Sequence, residues 1–162
     1  MKNSKKRKRT FPRQIGALVV RHGGSGPEVL LLTSRDTGRW VIPKGWTMPG
    51  KADHAAAARE AKEEAGVLGK VGRRPFGAYA YFKRQSDHFE VCRVTVYLMT
   101  FERQLPKWRE KGQRRLAWCP AREAAEMVRE PQLAALIEAL PAAFLPTGPA
   151  AEQVRHYPLV AP

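Results

Sequence analysis

The sequence predicts an α/β (α+β) domain in which strands and helices form layers. Short apolar runs come first, one helical segment follows, further strand-like runs come next, and two helical segments end the pattern. This order of elements is typical of layered domains. The chain has 162 residues, of which 43% are hydrophobic, and this is enough for one core in a single domain.

The N-terminal part begins with three strand-like runs. Residues 14–20 and 28–33 are mostly apolar, and the glycine-rich segment 21–27 between them predicts the turn of a hairpin. Residues 40–42 form a third short strand. The segment 45–50 contains glycine and proline, so we expect a loop there.

The residues after this loop have the features of a helix. Asp53 is the predicted N-cap, the residues at 55–65 all tolerate a helix, and Gly66 is the predicted end. Small side chains recur at helical spacing, so this face of the helix must lie close against its support. These residues are Ala57, Ala58, Ala61 and Ala65.

The second half contains three further strand-like runs and two helical segments. The strands are predicted at 76–82, 89–101 and 115–119, and the helices at 121–129 and 132–140. The residues from Pro141 onward are rich in proline and alanine, and we expect them to be irregular.

The chain is strongly basic, with a formal net charge of +14. Six of the 29 lysines and arginines lie among the first nine residues, which leaves 23 against 15 acidic residues elsewhere. A basic surface favours polyanionic partners such as polyphosphates or nucleic acid. We interpret residues 1–11 as a basic disordered tail, 12–145 as the folded domain and 146–162 as a Pro/Ala-rich C-terminal extension.

The two cysteines, Cys92 and Cys119, have no zinc-binding spacing, so we expect reduced thiols and a cytoplasmic protein. The charged N-terminus has no apolar run behind it, which argues against a signal peptide. No stretch is long and apolar enough to span a membrane, and nothing in the sequence indicates an oligomeric state.

Three glutamates fall on one stripe of the predicted helix. Glu60, Glu63 and Glu64 are three and four residues apart, and like charges at this spacing destabilise an isolated helix by roughly 0.2–0.5 kcal/mol per pair. A hard divalent cation with oxygen ligands would offset that repulsion, and magnesium suits work on phosphates. The alternative is a charged helix face in contact with solvent, but the spacing to the flanking glycines favours a metal site.

Residues 45–67 resemble the Nudix box of MutT-like hydrolases, G-x5-E-x7-R-E-U-x-E-E-x-G-U, in which U is apolar. Ala61 occupies the inner apolar position, and Lys51 replaces the first glutamate of the pattern. The matching residues are Gly45, Arg59, Glu60, Glu63, Glu64, Gly66 and Val67.

A weaker resemblance, to the diphosphoinositol polyphosphate phosphohydrolase branch, extends from about residue 13 to 140. It rests on residues 33–35 and 39–43, a tryptophan after Lys107 and a basic pair before Trp118. The chain departs from the pattern at Lys44, where the family has glycine, and at Glu130, where the branch usually has lysine.

The resemblance implies a Nudix α/β/α sandwich with a mixed sheet between helices. It implies a magnesium site at Glu60, Glu64 and Glu63, in which manganese can substitute, with Glu63 as general base and Arg59 in the catalytic set. The distribution of roles among the glutamates does not follow from their spacing. The resemblance also implies substrate-binding residues, namely Arg13, Arg35, Arg39, Lys44, Gly45, Arg114 and Arg115.

Three functions follow as hypotheses. The first is hydrolysis of a phosphoanhydride bond in a small, highly phosphorylated molecule, either a diphosphoinositol polyphosphate or a dinucleoside polyphosphate. The second is hydrolysis at the 5′ end of RNA, for which a basic tail would be useful; nucleic acid is a possible partner but not the favoured one. The third is a non-catalytic nucleotide- or RNA-binding module, which the complete Arg59-Glu60-x-x-Glu63-Glu64 set disfavours.

Overall fold

The structure, a computed structural model, describes residues 11–140. Most of the predicted tail (1–10), the end of the predicted domain (141–145) and the predicted extension (146–162) lie outside this range.

One mixed sheet of eight strands organises the described residues. The main path runs β3-β2-β1-β7-β5, while β4 pairs with β1, β6 with β7 and β8 with β2. β1 and β7 are parallel, and the other pairs are antiparallel. The strands are β1 (Arg13–Gly23), β2 (Gly26–Thr33), β3 (Trp40–Val41), β4 (Lys44–Trp46), β5 (Val67–Val71), β6 (Gly77–Arg84), β7 (Phe89–Gln104) and β8 (Leu116–Pro120).

Helices cover both faces of this sheet. Helix α1 (Asp53–Ala65) packs on one face, and helices α2 (Ala121–Met127) and α3 (Pro131–Glu138) pack on the other. Successive residues of β1 enter opposite cores, with Val19 on the α1 side and Leu18 on the α2/α3 side. This explains the continuous apolar run in the sequence, because a strand buried on both faces needs apolar residues at every position. The predicted α/β/α sandwich is confirmed.

Three of the four alanines predicted on the buried face of α1, namely Ala57, Ala61 and Ala65, are fully buried against the sheet, whereas Ala58 is only partly buried and Ala56 is fully buried. The helix ends at Gly66, as predicted, with a φ of 67° that favours glycine. Asp53, however, is the first helical residue and not the N-cap. The cap is Ala52, and the Asp53 carboxylate instead pairs with Arg13 at 3.2 Å.

Two strands were missed by the sequence prediction. Residues 44–46, predicted as part of a loop, form β4 because their backbone pairs with residues 14–16 of β1. Strand β5 follows Gly66 directly and pairs with the end of β7. The first hairpin is also tighter than predicted, since β1 continues to Gly23. The two missed strands share a cause, because pairing to a distant strand supplies hydrogen bonds that local composition does not reveal.

Cys92 and Cys119 are free, buried thiols, as predicted. Within residues 11–140, no helix is long and apolar enough to cross a membrane.

Candidate active site

The glutamate stripe of α1 faces β4 and the loop between β7 and β8. The buried alanine face fixes the rotation of the helix, which turns the acidic face toward this loop. Leu105 donates its backbone N–H to the carbonyl of Gly66 at 2.7 Å, and Trp108 covers Gly66 so closely that a Cβ there would collide with the indole. The end of the helix and the loop are therefore held together.

A cleft of about 510 Å³ lies between these elements, and four carboxylates line it: Glu60, Glu63, Glu64 and Glu110. Glu110 was not among the residues predicted from the sequence. It belongs to the β7–β8 loop, and its backbone N–H donates to the Glu63 carbonyl at 3.0 Å. A single acid between Arg109 and Lys111 is a weak signal in a sequence. Only the fold brings this carboxylate to the helix.

Gly45 explains how Glu60 reaches the backbone of β4. An ideal Cβ at Gly45 would lie less than 3.0 Å from both carboxylate oxygens of Glu60, so the space that a side chain would fill is occupied by the carboxylate. Among residues 11–140, Glu63, Glu64 and Glu110 form ion pairs, whereas Glu60 forms none. Burial and the nearby carboxylates of Glu63 and Glu110 raise its pKa.

Glu64 is buried, with 7% of its surface exposed. Arg114 donates to it at 3.3 Å, and the backbone N–H of Lys44 donates to its other oxygen at 3.3 Å. Burial nevertheless raises the pKa of Glu64 to about 7, because Arg114 offsets only part of the loss of hydration. Arg114 also bonds to Glu110 at 3.3 Å and to the Thr33 carbonyl at 3.1 Å, so it connects the helix to the loop.

Glu63 is held by two arginines. Arg59, one turn earlier on the same helix, donates to it at 2.8 Å, and Arg109 lies 3.6 Å away. Glu63, Glu64 and Glu110 thus each pair with an arginine. In the described range, no three His, Cys, Asp or Glu side chains form a metal-binding group.

The donor set nevertheless fits a divalent cation. Four carboxylates share one cleft, two of them have raised pKa values, and Glu60 lies against Gly45 without an ion pair to any residue of 11–140. Carboxylates in this state favour a hard cation with oxygen ligands. Glu60, Glu63, Glu64 and Glu110 are the residues of this cleft that would hold one.

The comparison with known proteins decides the family. The family model described as NUDIX domain matches residues 11–140, which is most of the chain. The protein belongs to the NUDIX family. Within that family it is a Nudix pyrophosphohydrolase, as its relatives named phosphohydrolases support.

The curated relatives of this Nudix enzyme include proteins named for diphosphoinositol polyphosphates. Diphosphoinositol polyphosphate phosphohydrolase 3-beta of Homo sapiens is 29% identical over 121 residues, which cover 74% of this chain and 70% of that protein. Diphosphoinositol polyphosphate phosphohydrolase 2 of Rattus norvegicus is 29% identical over 141 residues, covering 85% and 75%. The predicted resemblance to this branch is confirmed.

Solved structures confirm the fold. The C. elegans Ap4A hydrolase superposes with a TM-score of 0.58 at 19% identity, covering 83% of this chain and 98% of that one. The NUDIX domain of Shewanella oneidensis NrtR, solved with ADP ribose, superposes with a TM-score of 0.62 at 14% identity, covering 84% and 90%.

Two of the predicted substrate-binding cations of this Nudix enzyme lie at the carboxylate cleft. Arg35 lines it and lies 3.1 Å from Glu110. Lys44 lines it as well, and its ammonium group lies 4.8 Å from the centre of the Tyr81 ring. Burial lowers the pKa of Lys44, against the opposing effect of Glu64. Their role as phosphate ligands stays a prediction.

Arg114 pairs with two of the cleft carboxylates, and the remaining predicted cations contact groups outside the cleft. Arg39 forms a partly buried ion pair with Glu130 and lines the neighbouring cavity. Arg13 pairs with Asp53, and Arg115 lies over the Trp40 ring at 5.6 Å. In the described part of the chain, neither Arg13 nor Arg115 lines the carboxylate cleft, and their assignment to the substrate stays a prediction.

Proposed function

We propose that this Nudix enzyme catalyses the metal-dependent hydrolysis of a phosphoanhydride bond in a small, highly phosphorylated substrate. The observation that carries the proposal is the placement of Glu60, Glu63, Glu64 and Glu110 in one cleft. Arg35 and Lys44 line the same cleft, so it combines ligands for a hard cation with cations for phosphate oxygens.

Glu60 and Glu64 are the proposed ligands of magnesium, for which manganese can substitute, and Glu110 lies near enough to add a third carboxylate. When bound, the metal supplies charge neutralisation at the phosphates and lowers the pKa of water. Glu63 is the proposed general base, a role that contributes typically about 10²–10⁴-fold. Arg59 and Arg109 hold Glu63 and orient its carboxylate.

The proposed substrates are a diphosphoinositol polyphosphate or a dinucleoside polyphosphate, acted on in the cytoplasm. The names of the human and rat relatives support the first, and the similarity to the C. elegans Ap4A hydrolase supports the second. Both candidates carry several phosphates next to the bond that is broken, which suits a cleft that contains cations as well as carboxylates.

Metal removal is the direct test. We expect no measurable hydrolysis in chelator, and full recovery when magnesium or manganese is added, because the carboxylates can neither neutralise phosphate charge nor activate water without a cation. Phosphate or nucleotide release should be followed on an inositol pyrophosphate, a dinucleoside polyphosphate and a 5′-triphosphorylated RNA. Full activity of metal-free protein would contradict the proposal. RNA as the best substrate would favour the RNA-end alternative.

Lys51 tests whether the departure from the Nudix box weakens the enzyme. Its side chain is exposed in the turn before α1, beside Arg59 and outside the carboxylate cleft. We expect Lys51→Glu to fold normally, because exposed substitutions usually change stability within about 0.5 kcal/mol. We expect kcat/KM to change by less than about threefold, because Lys51 does not line the carboxylate cleft. A many-fold gain in turnover on every substrate would show a weakened native enzyme and would favour the binding-module alternative.

A further inference from the structure

Lys44 lies where three cavities of the protein meet. It lines the carboxylate cleft, the neighbouring cavity of about 750 Å³ and a small cavity of about 110 Å³ that Glu64 also lines. Among residues 11–140, no other residue lines all three. An ammonium group at this place can contact a phosphate that extends from the carboxylate cleft into either neighbouring cavity, whereas the glycine of the family pattern would supply no charge there.

No carboxylate holds the Lys44 ammonium within residues 11–140. The ammonium forms no ion pair there, and the contact of Lys44 with Glu64 is made by its backbone N–H. The ammonium instead lies 4.8 Å from the centre of the Tyr81 ring. A cation over the face of an aromatic ring is attracted by it, and the attraction grows where water is excluded. The Tyr81 ring is therefore the contact that fixes this charge.

Tyr81 is itself held firmly, both at its ring and at its hydroxyl group. Its ring packs in the core on the α2/α3 side, and only 9% of its surface is exposed. Its hydroxyl donates to the side-chain oxygen of Gln14 at 2.7 Å, and Gln14 is buried as well. A ring fixed by packing and by a hydrogen bond offers the lysine side chain one place to lie rather than many.

A second cation on the same ring limits the movement of Lys44. The guanidinium of Arg39 lies 5.6 Å from the centre of the Tyr81 ring, and Glu130 holds it in a partly buried ion pair. Because Arg39 is held in this way, repulsion between the two positive charges disfavours movement of Lys44 toward it. Attraction by the ring and repulsion by Arg39 together keep the ammonium in its position.

We propose that Tyr81 is a positioning residue, whose ring holds the Lys44 ammonium ready to bind a phosphate oxygen. A lysine side chain that moves freely in solvent loses rotamer freedom when it binds a phosphate, and this loss weakens binding. A lysine already held by the ring has lost that freedom before the ligand arrives. The proposal rests on the proposed function, in which Lys44 is one of the cations for phosphate oxygens.

The test measures binding of methylenediphosphonate, a phosphoanhydride analogue that cannot be hydrolysed because carbon replaces the bridging oxygen. With magnesium present, isothermal titration calorimetry of Tyr81→Leu should give a Kd about 5- to 30-fold above that of wild type, in line with the loss of one desolvated cation–π contact. Tyr81→Phe should stay within about twofold of wild type, because it keeps the ring although it loses the bond to Gln14. Tyr81→Met, which fills the space without a ring, replaces the leucine variant if that variant fails to fold.

The double variant Tyr81→Leu/Lys44→Met separates positioning from a purely structural role. Lys44→Met alone should raise the Kd at least as much as Tyr81→Leu does. Adding Tyr81→Leu to it should change the Kd by less than about twofold, because the ring then has no ammonium to hold. Tyr79→Leu is the matched control, since Tyr79 is buried in the same core on β6 and no cation of residues 11–140 contacts its ring. It should lower the melting temperature and leave the Kd unchanged.

An unchanged Kd for Tyr81→Leu, an equal rise for Tyr81→Phe, or an equal further rise in the Lys44→Met background would overturn the positioning proposal. Failure of the wild-type protein to bind the analogue would overturn it as well, while hydrolysis of a phosphoanhydride would still support the proposed function. Conversely, the expected Kd values in a protein that hydrolyses no phosphoanhydride with magnesium or manganese would overturn the proposed function and leave the role of Tyr81 in phosphate binding intact.

Discussion

Glu64→Gln is expected to lower kcat/KM at least about 100-fold. Residues that only support metal ligands typically cost 10–100-fold when they are replaced, and a direct ligand should cost no less. Glutamine keeps the shape of the side chain, and its one amide oxygen can accept from either Arg114 or the Lys44 backbone, so the variant removes the charge and one of these two hydrogen bonds. Steady-state kinetics and magnesium titration should show reduced turnover and weakened metal binding together. Glu126→Gln, on the exposed side of α2, is the matched control and should have no effect.

Although Glu64→Gln should reduce activity, we expect it to increase the stability of the metal-free protein. The pKa of Glu64 is about 7 in the folded state and near its ordinary value of 4.5 in the unfolded state, because burial disfavours the charged form. The folded state therefore binds more protons between these values, so the contribution of this group to stability falls as pH rises from about 4.5 to about 7 and is constant above that. In chelator, Glu64→Gln should unfold at a higher temperature than wild type at pH 8, with a smaller difference at pH 6. Added magnesium should raise the melting temperature of the wild type only.

A lower melting temperature for Glu64→Gln at pH 8 would contradict burial of the charge as the cause of the raised pKa. Normal turnover of the variant, with magnesium still required, would exclude Glu64 as a metal ligand.

Gly45→Ala is expected to remove most activity while leaving the fold intact. The new Cβ would lie less than 3.0 Å from the Glu60 carboxylate oxygens, so the carboxylate must leave its place against β4. Because these atoms end a flexible side chain, the helix need not move, and the melting temperature should change little. We expect kcat/KM to fall at least about 100-fold, as for loss of a metal ligand.

Gly24→Ala is the control for this variant, since a Cβ there has nothing within 4 Å. The double variant Gly45→Ala/Glu60→Gln should be about as active as either single variant, because both act on the same carboxylate. Additive losses would show that Gly45 acts independently of Glu60. Full activity of Gly45→Ala would show that the position of Glu60 against β4 is not needed for catalysis.

Local sequence was sufficient to predict the helix that carries the glutamate stripe. The spacing of alanines and glutamates over residues 53–66 sets the two faces of α1, and Gly66 ends it with a positive φ. These features depend on contacts within one or two turns, so they can be read from a short window. The resemblance to the Nudix box included both Gly45 and Glu60, although it did not show that the carboxylate occupies the space of the missing Cβ.

Long-range contacts decided the rest of the site. Glu110 joins the three predicted glutamates because the β7–β8 loop is hydrogen-bonded to the end of α1. One of these bonds joins Leu105 to Gly66, 39 residues earlier in the chain. Strand β4 forms because β1 supplies its hydrogen bonds, and this pairing is what sets Lys44, Gly45 and Trp46 in a row beside the helix. Composition cannot reveal such pairings, since they join segments far apart in the chain.

The sequence by itself determined the family and the three glutamates of the stripe, because these depend on residue spacing along one segment. It also determined the layered fold, because that depends on the order of strands and helices along the chain. Only the tertiary structure decided which arginines and lysines remain available to bind a ligand. Arg39, Arg13 and Arg114 have the same charge in the sequence, yet Glu130, Asp53 and Glu64 each pair with one of them in the folded chain. An arginine attracts a ligand less strongly when a carboxylate beside it compensates its charge. The packing of the folded chain determines which carboxylates lie beside which arginines.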